Sequence, residues 1–170
     1  PYPDDLLKTK NYTGFQVVGN NPIQQAEAGQ QWDKVLMEYI QGQRDQPVWG
    51  YGSNDYFCED QNGDKLGSVR TIFLAHEKKN DALLDAMRKG RMYAVRQSDE
   101  NRLSLDEFII EDQKTGQQAS LGQELTSTDF PAIKIKLRSI KGGNKTAQIQ
   151  IIRNGVLAKQ ETVSLPYELT

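Results

Sequence analysis

The hydrophobic pattern of this chain changes its period near residue 91, and this change constrains the fold more than any other feature. Before it, apolar residues recur at helical spacing over Trp32 to Ile40 and over Leu83 to Met87, between short apolar runs typical of strands. After it, apolar residues alternate with polar ones as far as the C-terminus. We therefore predict two domains, an α/β domain over residues 1–97 and a small antiparallel all-β, sandwich-like domain over residues 98–170.

The first domain combines short apolar runs with two amphipathic helices. The runs that predict its strands are Thr13–Val18, Gln46–Gly52, Val69–Ala75 and Arg91–Val95. Asn21 and Pro22 are typical of a helix start, and Gly29 leaves open a division of that segment. The core-facing positions predicted for this helix are Trp32, Val35, Leu36, Tyr39 and Ile40. A second helix is predicted from a cap at Asn80 to a terminator at Gly90, with Leu83, Leu84 and Met87 facing inward.

The second domain carries the alternation of strands that bury one face. Ile133, Ile135 and Leu137 alternate with basic residues, and a further apolar strand is predicted from Leu103 to Ile110. Asn154 and Gly155 separate two apolar runs, and Asn-Gly is the strongest short signal for a β-hairpin. A compact antiparallel sandwich is the simplest arrangement that hides these faces.

Composition excludes several classes of partner and site. The 21 Lys and Arg residues nearly balance the 23 Asp and Glu residues, and neither sign forms a long block, so no nucleic-acid binding is expected. The single cysteine, Cys58, excludes an internal disulfide and a cysteine-based zinc site. No apolar run approaches the roughly 20 residues that cross a bilayer, so no membrane span is expected. The compartment, cytoplasmic or extracytoplasmic, stays open.

Four segments, in this order, resemble the C-terminal half of the phosphoesterase domains of the PHP (polymerase and histidinol phosphatase) family. They are Asn11–Val17, the helix with Trp32 and Asp33, Val48–Phe57, and Arg70–Ala75 leading into Ala82–Ala94. Gly116–Leu125 with Ile149–Gly155 resembles the β-sandwich appended in some family members. The resemblance implies part of a distorted β/α barrel of PHP type. Because the chain has no initiator methionine, we expect a piece of a longer protein.

The family resemblance also implies a chemistry, which is hydrolysis of phosphate esters at two or three divalent ions of zinc, manganese or iron. Asp55 matches an aspartate that ligates metal in the family, whereas Phe57 stands where the family has a histidine ligand. Gln16 stands where related sequences often have a glutamate, and the family's other histidines have no counterpart here. We therefore expect the fragment to be inactive by itself and to hold no metal or only a residual one, and we predict no catalytic residue.

Side chains near Asp55 predict a pocket. Trp49 and Tyr51 lie on one side of a strand, since strand side chains alternate, and Asn54 and Phe57 follow in the next loop. The ligand classes left open are a small phosphorylated substrate, a glycan and a protein. The competing hypothesis is a non-catalytic binding or interaction module that uses the β-rich C-terminal domain. Half of a barrel would also expose a sheet edge and an apolar face, which predicts self-association.

Overall fold

A computed structural model of the chain describes residues 3–54, 56, 65–98, 102–143 and 145–169. The helices are α1 (Pro3–Lys8), α2 (Gln31–Ile40) and α3 (Asn80–Arg88), with a short 3-10 helix at Gln24–Ala26. The strands are β1 (Gly14–Val18), β2 (Trp49–Gly52), β3 (Val69–Phe73), β4 (Met92–Arg96), β5 (Leu103–Glu111), β6 (Gln118–Ser120), β7 (Ala132–Ser139), β8 (Lys145–Arg153), β9 (Val156–Leu165) and β10 (Tyr167–Leu169).

The chain forms two compact units, each assembled from three segments. One contains Pro1–Ile72, Tyr93–Arg96 and Gln150–Gln160. The other contains Phe73–Met92, Gln97–Ile149 and Glu161–Thr170. The predicted division of the chain between residues 97 and 98 stays a prediction.

The core of the first unit lies between α2 and the parallel pair β1–β2. Phe15, Val35 and Val48 form its buried centre. Phe15 pairs with Gly50 across the two strands, and a Cβ atom at Gly50 would lie only 2.8 Å from the ring of Trp32. The sheet face that carries Phe15 and Gly50 therefore packs against α2, and the Nε1 of Trp32 donates a hydrogen bond of 2.9 Å to the carbonyl of Val48.

The prediction of a partial β/α barrel of PHP type is wrong. Strands make up 40% and helices 18% of the structure, and the strands form several small sheets. Among the described residues, no third strand joins β1 and β2. The physical reason is local: the Oγ1 atom of Thr71 accepts a hydrogen bond from the Gly52 N–H (3.0 Å) and donates one to the Gly52 carbonyl (3.1 Å). These backbone groups are satisfied by a side chain, so they do not extend a strand ladder at this point.

The first helix begins later than Asn21 and Pro22 indicate. Gly29 has a φ of 77° and divides the segment, so that a 3-10 turn precedes it and α2 follows it. Val35 is fully buried as predicted, whereas Ile40 at the end of the helix is 70% exposed.

The inward face predicted for α3 is wrong, although its end at Gly90 is confirmed by a φ of 65°. Leu83, Leu84 and Met87 are 38%, 45% and 46% exposed, whereas the small residues Ala82 and Ala86 are buried. Their missing bulk lets the helix approach its neighbours closely, and the larger side chains are left outside. The predicted cap at Asn80 is wrong as well. Asn80 is the first residue of the helix, and Lys79, which occupies the cap position, makes no side-chain capping bond.

The β-rich character of the C-terminal part is confirmed. β5 pairs antiparallel with β6 and with β7, and β10 joins the outer edge of β7, which gives a sheet in the order β10-β7-β5-β6. β8 and β9 form a separate hairpin. Asn154 and Gly155 both have positive φ, 53° and 75°, as the Asn-Gly turn requires.

A buried carboxylate closes the turn between β5 and β6. Asp112 is 2% exposed, and its Oδ1 accepts hydrogen bonds from the backbone N–H groups of Lys114 (2.9 Å) and Thr115 (2.8 Å). The hydroxyl of Ser127 donates to the other carboxylate oxygen. Led by the Ser127 bond, these donors hold the pKa of Asp112 at about 2, below the ordinary 3.8, because they stabilise the ionised form.

Candidate functional site

Three polar side chains meet just beyond the ends of β1 and β2, and a fourth, Gln16, binds the backbone next to them. The Nδ2 of Asn20 donates to the Oδ1 of Asn54, and the hydroxyl of Ser68 donates to the Oδ1 of Asn20 at 3.3 Å. Asn54 donates in turn to Ser68 (3.3 Å) and to the carbonyl of Lys65 (3.1 Å). Gln16, in the middle of β1, donates to the carbonyl of Ser53, which directly follows β2, at 3.1 Å. We call Gln16, Asn20, Asn54 and Ser68 the carboxamide cluster.

Two aromatic side chains continue this cluster along the sheet. Trp49 pairs with Gly14, and Tyr51 pairs with Gln16, in the parallel register of β1 and β2. Because strand side chains alternate, Trp49, Tyr51 and Gln16 share the sheet face opposite the one that packs on α2. A Cβ atom at Gly14 would lie 3.2 Å from the ring of Tyr51, so the missing side chain makes room for the ring over β1.

All the side chains of this face and of the cluster are half-buried. They are therefore held in place by packing and hydrogen bonds while part of each stays accessible. In the bonds among the described residues, Asn20 uses one of its two N–H donors and one of its two acceptor positions, and Asn54 uses one acceptor position of two. The hydrogen bonds among the described residues thus order the cluster without using all of its donor and acceptor positions.

The structure places three of the residues that the sequence predicts for the pocket on β2 or just after it. Trp49 and Tyr51 lie on one face as expected, and Asn54 lies in the adjoining cluster. The predicted metal ligand, Asp55, and the predicted pocket residue Phe57 lie outside the described residues. Sequence reasoning missed Asn20 and Ser68, which are 34 and 14 positions from Asn54. Only their type, polar residues next to strand ends, could have indicated them.

The described side chains of the cluster do not fit a site for two or three transition-metal ions. Such sites use imidazole, thiolate and carboxylate groups, whereas the cluster offers neutral amides and a hydroxyl. Within the described ranges, no three His, Cys, Asp or Glu side chains are placed to hold one ion. His76, the single histidine, has a side chain 72% exposed, with its Nε2 3.6 Å from the carboxylate of Glu77.

This chain matches no family model, no curated protein and no solved structure. Among the described helices, none combines the length and the apolar character that a membrane crossing requires.

A concave surface lies between α2 and the turn of the β8–β9 hairpin. This open groove of about 390 Å³ is lined by Gly29, Asp33, Lys34, Met37, Glu38, Gln41, Asn154, Gly155 and Val156. Its two carboxylates are engaged by the chain itself. Asp33 accepts a 2.6 Å hydrogen bond from the N–H of Gly29, and Glu38 binds both Lys10 and Arg44 at 2.7 Å. The carboxamide cluster and its aromatic face are the better candidate, because they combine neutral hydrogen-bonding groups with an apolar platform.

Proposed function

We propose that this chain is a binding module for a neutral, hydroxyl-rich ligand, of which an oligosaccharide is the best example. The observation that carries the proposal is the register of β1 and β2, which sets Trp49 and Tyr51 beside Gln16 on one half-buried sheet face. The carboxamide cluster extends that face at the ends of the strands.

The two halves of the site suit the two sides of a sugar. A pyranose ring has an apolar face of C–H groups that packs against aromatic rings, as Trp and Tyr do at interfaces with one apolar and one wet side. Its hydroxyl groups both donate and accept hydrogen bonds, and a carboxamide side chain can do both as well. Binding sites usually combine such an apolar surface with a few polar groups that fix orientation.

The charge of the cluster favours a glycan over a phosphorylated small molecule. Its four side chains, Gln16, Asn20, Asn54 and Ser68, are neutral. Phosphate recognition gains most from guanidinium and ammonium groups, which form charge-assisted hydrogen bonds. A neutral polyol can be bound without guanidinium or ammonium groups.

The test is titration of the protein with five hexasaccharides: maltohexaose, cellohexaose, laminarihexaose, xylohexaose and chitohexaose. Binding is monitored through amide chemical shifts and tryptophan fluorescence. Glucose 6-phosphate serves as the anionic comparison. We expect at least one hexasaccharide to bind and to perturb Trp49, and we expect Trp49→Ala and Asn54→Ala to weaken that binding about tenfold or more, the loss of about 1.4 kcal/mol.

Trp32→Phe is the matched control, because Trp32 packs on the opposite face of the same sheet. It should lower thermal stability and leave the affinity unchanged. If no hexasaccharide binds at millimolar concentration, or if Trp49→Ala binds as tightly as the unmodified protein, the proposal is wrong.

Metal-dependent phosphoesterase activity stays a separate prediction from the PHP-family resemblance. Plasma mass spectrometry on protein purified without chelator tests it. Stoichiometric zinc, manganese or iron that Asp55→Ala removes would support it, and metal-free protein would count against it. Self-association also stays a proposal. The half-barrel no longer supports it, but the outer edge of β9 does.

A further inference from the structure

The outer edge of β9 pairs with none of the described strands. β8 and β9 form a sheet of two strands, and no other described strand pairs with β9. Five successive residues, Val156 to Gln160, are exposed, and among them Val156 is 66% and Leu157 44% exposed. An exposed edge with apolar side chains is a template for pairing with another chain.

The sequence of β9 reads as self-complementary about Gln160. Val156–Leu165 is one uninterrupted strand, so strand geometry alone fixes the spacing of its side chains. When two copies pair antiparallel about a two-fold axis at Gln160, residue 159 of each faces residue 161 of the other. Lys159 then lies opposite Glu161 twice, and Leu157 lies opposite Val163 twice.

We propose that a second copy of this chain docks on the outer edge of β9 by antiparallel pairing centred on Gln160. A two-fold interface uses the same surface on both copies, which a palindromic charge pattern satisfies. The hydroxyl of Tyr167 donates a 2.5 Å hydrogen bond to Glu161 and orients its carboxylate.

Charge selects this register over its neighbours. Centring the pair on residue 159 would place Lys159 opposite Lys159, and centring it on residue 161 would place Glu161 opposite Glu161. Opposite charges across a strand pair stabilise it and like charges destabilise it. The centre at Gln160 avoids both repulsions and joins the apolar residues as well.

The test is sedimentation velocity of the whole chain over a concentration series, with Lys159→Glu and Glu161→Lys measured singly and mixed. Each variant alone replaces two attractive pairs by two repulsive ones, so we expect its dimer dissociation constant to rise about tenfold or more. In an equimolar mixture the opposite charges face one another again, so a mixed dimer should form with an affinity near that of the unmodified chain.

Lys141→Glu, a charge reversal at an exposed turn outside β9, is the matched control and should leave dimerisation unchanged. Leu157→Lys tests the same edge without touching Glu161, and it should also weaken the dimer. Circular dichroism establishes that each variant is folded. An unmodified chain that stays monomeric up to about 1 mM, which corresponds to an association free energy weaker than about −4 kcal/mol, overturns the proposal. A dimer that Lys159→Glu and Leu157→Lys leave intact, or a mixture that stays monomeric, overturns it as well.

Discussion

Replacing Arg44 by methionine tests the most deeply buried charge among the described residues of the first unit. The Arg44 side chain is 2% exposed, and its Nε donates a 2.7 Å hydrogen bond to the Oε2 of Glu38. Its Nη2 donates to the carbonyls of Leu6 and Leu7, each at 3.2 Å. Lys10 binds the same Glu38 oxygen at 2.7 Å, but the Lys10 side chain is 46% exposed. Two cations thus share one carboxylate in different surroundings.

The magnitude follows from what each substitution removes. Arg44→Met loses three hydrogen bonds from a buried cation, about 4.5 to 9 kcal/mol in total. It also removes the buried Nη1, which has no hydrogen-bond partner among the described residues and costs about 1 to 3 kcal/mol as it stands. The central net loss is about 5 kcal/mol, or about 10 to 20 °C in Tm. Glu38 keeps Lys10, so its carboxylate is not left unpaired.

Lys10→Met is the matched control. A partly exposed ion pair is worth at most about 1 kcal/mol, and Arg44 continues to hold Glu38, so we expect a loss of about 1 kcal/mol or less. Urea unfolding at pH 7, followed by circular dichroism, measures both free energies of unfolding. Equal losses for the two variants would refute the argument that burial decides the difference, and so would an Arg44→Met protein as stable as the unmodified one.

Three further predictions concern single positions. Asp112→Asn should make the free energy of unfolding depend less on pH in acid. The folded pKa of Asp112, about 2, lies below the unfolded value. Its contribution to stability is therefore present above about pH 4 and is lost as the pH falls towards 2. Thermal melts from pH 2 to pH 6 measure this, and parallel curves for the two proteins would contradict it. Gly122→Ala should lower the free energy of unfolding by about 3 kcal/mol or more, because its Cβ would lie 2.0 Å from the Lys89 carbonyl oxygen. Gly116 has a similar positive φ but open space around it, so Gly116→Ala should lower the free energy of unfolding by only about 1 kcal/mol. If urea unfolding gives similar losses for the two variants, the positive φ and not the steric contact sets the cost of the substitution. Gly14→Val should displace the Tyr51 ring, because a Cβ at this position would lie 3.2 Å from it, and should therefore weaken hexasaccharide binding with little change in Tm. An unchanged affinity in the same titration would show that the Tyr51 ring does not contribute to binding.

Local patterns predicted much of the strand content. The alternation around Ile135 predicted β7, and Asn154 with Gly155 predicted the hairpin turn, because both signals act within a few residues. The barrel was wrong because sheet closure depends on distant pairing, and a single side chain, Thr71, satisfies the backbone of Gly52 where a barrel would need the sheet to continue.

The candidate site was predictable only in part, for a related reason. The two-residue period of a strand is sufficient to place Trp49 and Tyr51 on one side of β2. Asn20 and Ser68 come from loops whose approach to Asn54 depends on tertiary packing, and no local pattern marks them. In α3, hydrophobicity alone favoured Leu83 and Leu84 as core residues, whereas close packing buried Ala82 and Ala86.

The contact of Arg44 with Leu6 and Leu7 has a consequence for cooperativity. A helix of six residues, such as α1, is far too short to persist by itself in water. Its last carbonyls are held by a residue 37 to 38 positions further along the chain, just beyond α2. Amide hydrogens of α1 should therefore exchange at least as fast as those of α2, and any local opening that frees Arg44 should melt α1 in the same event.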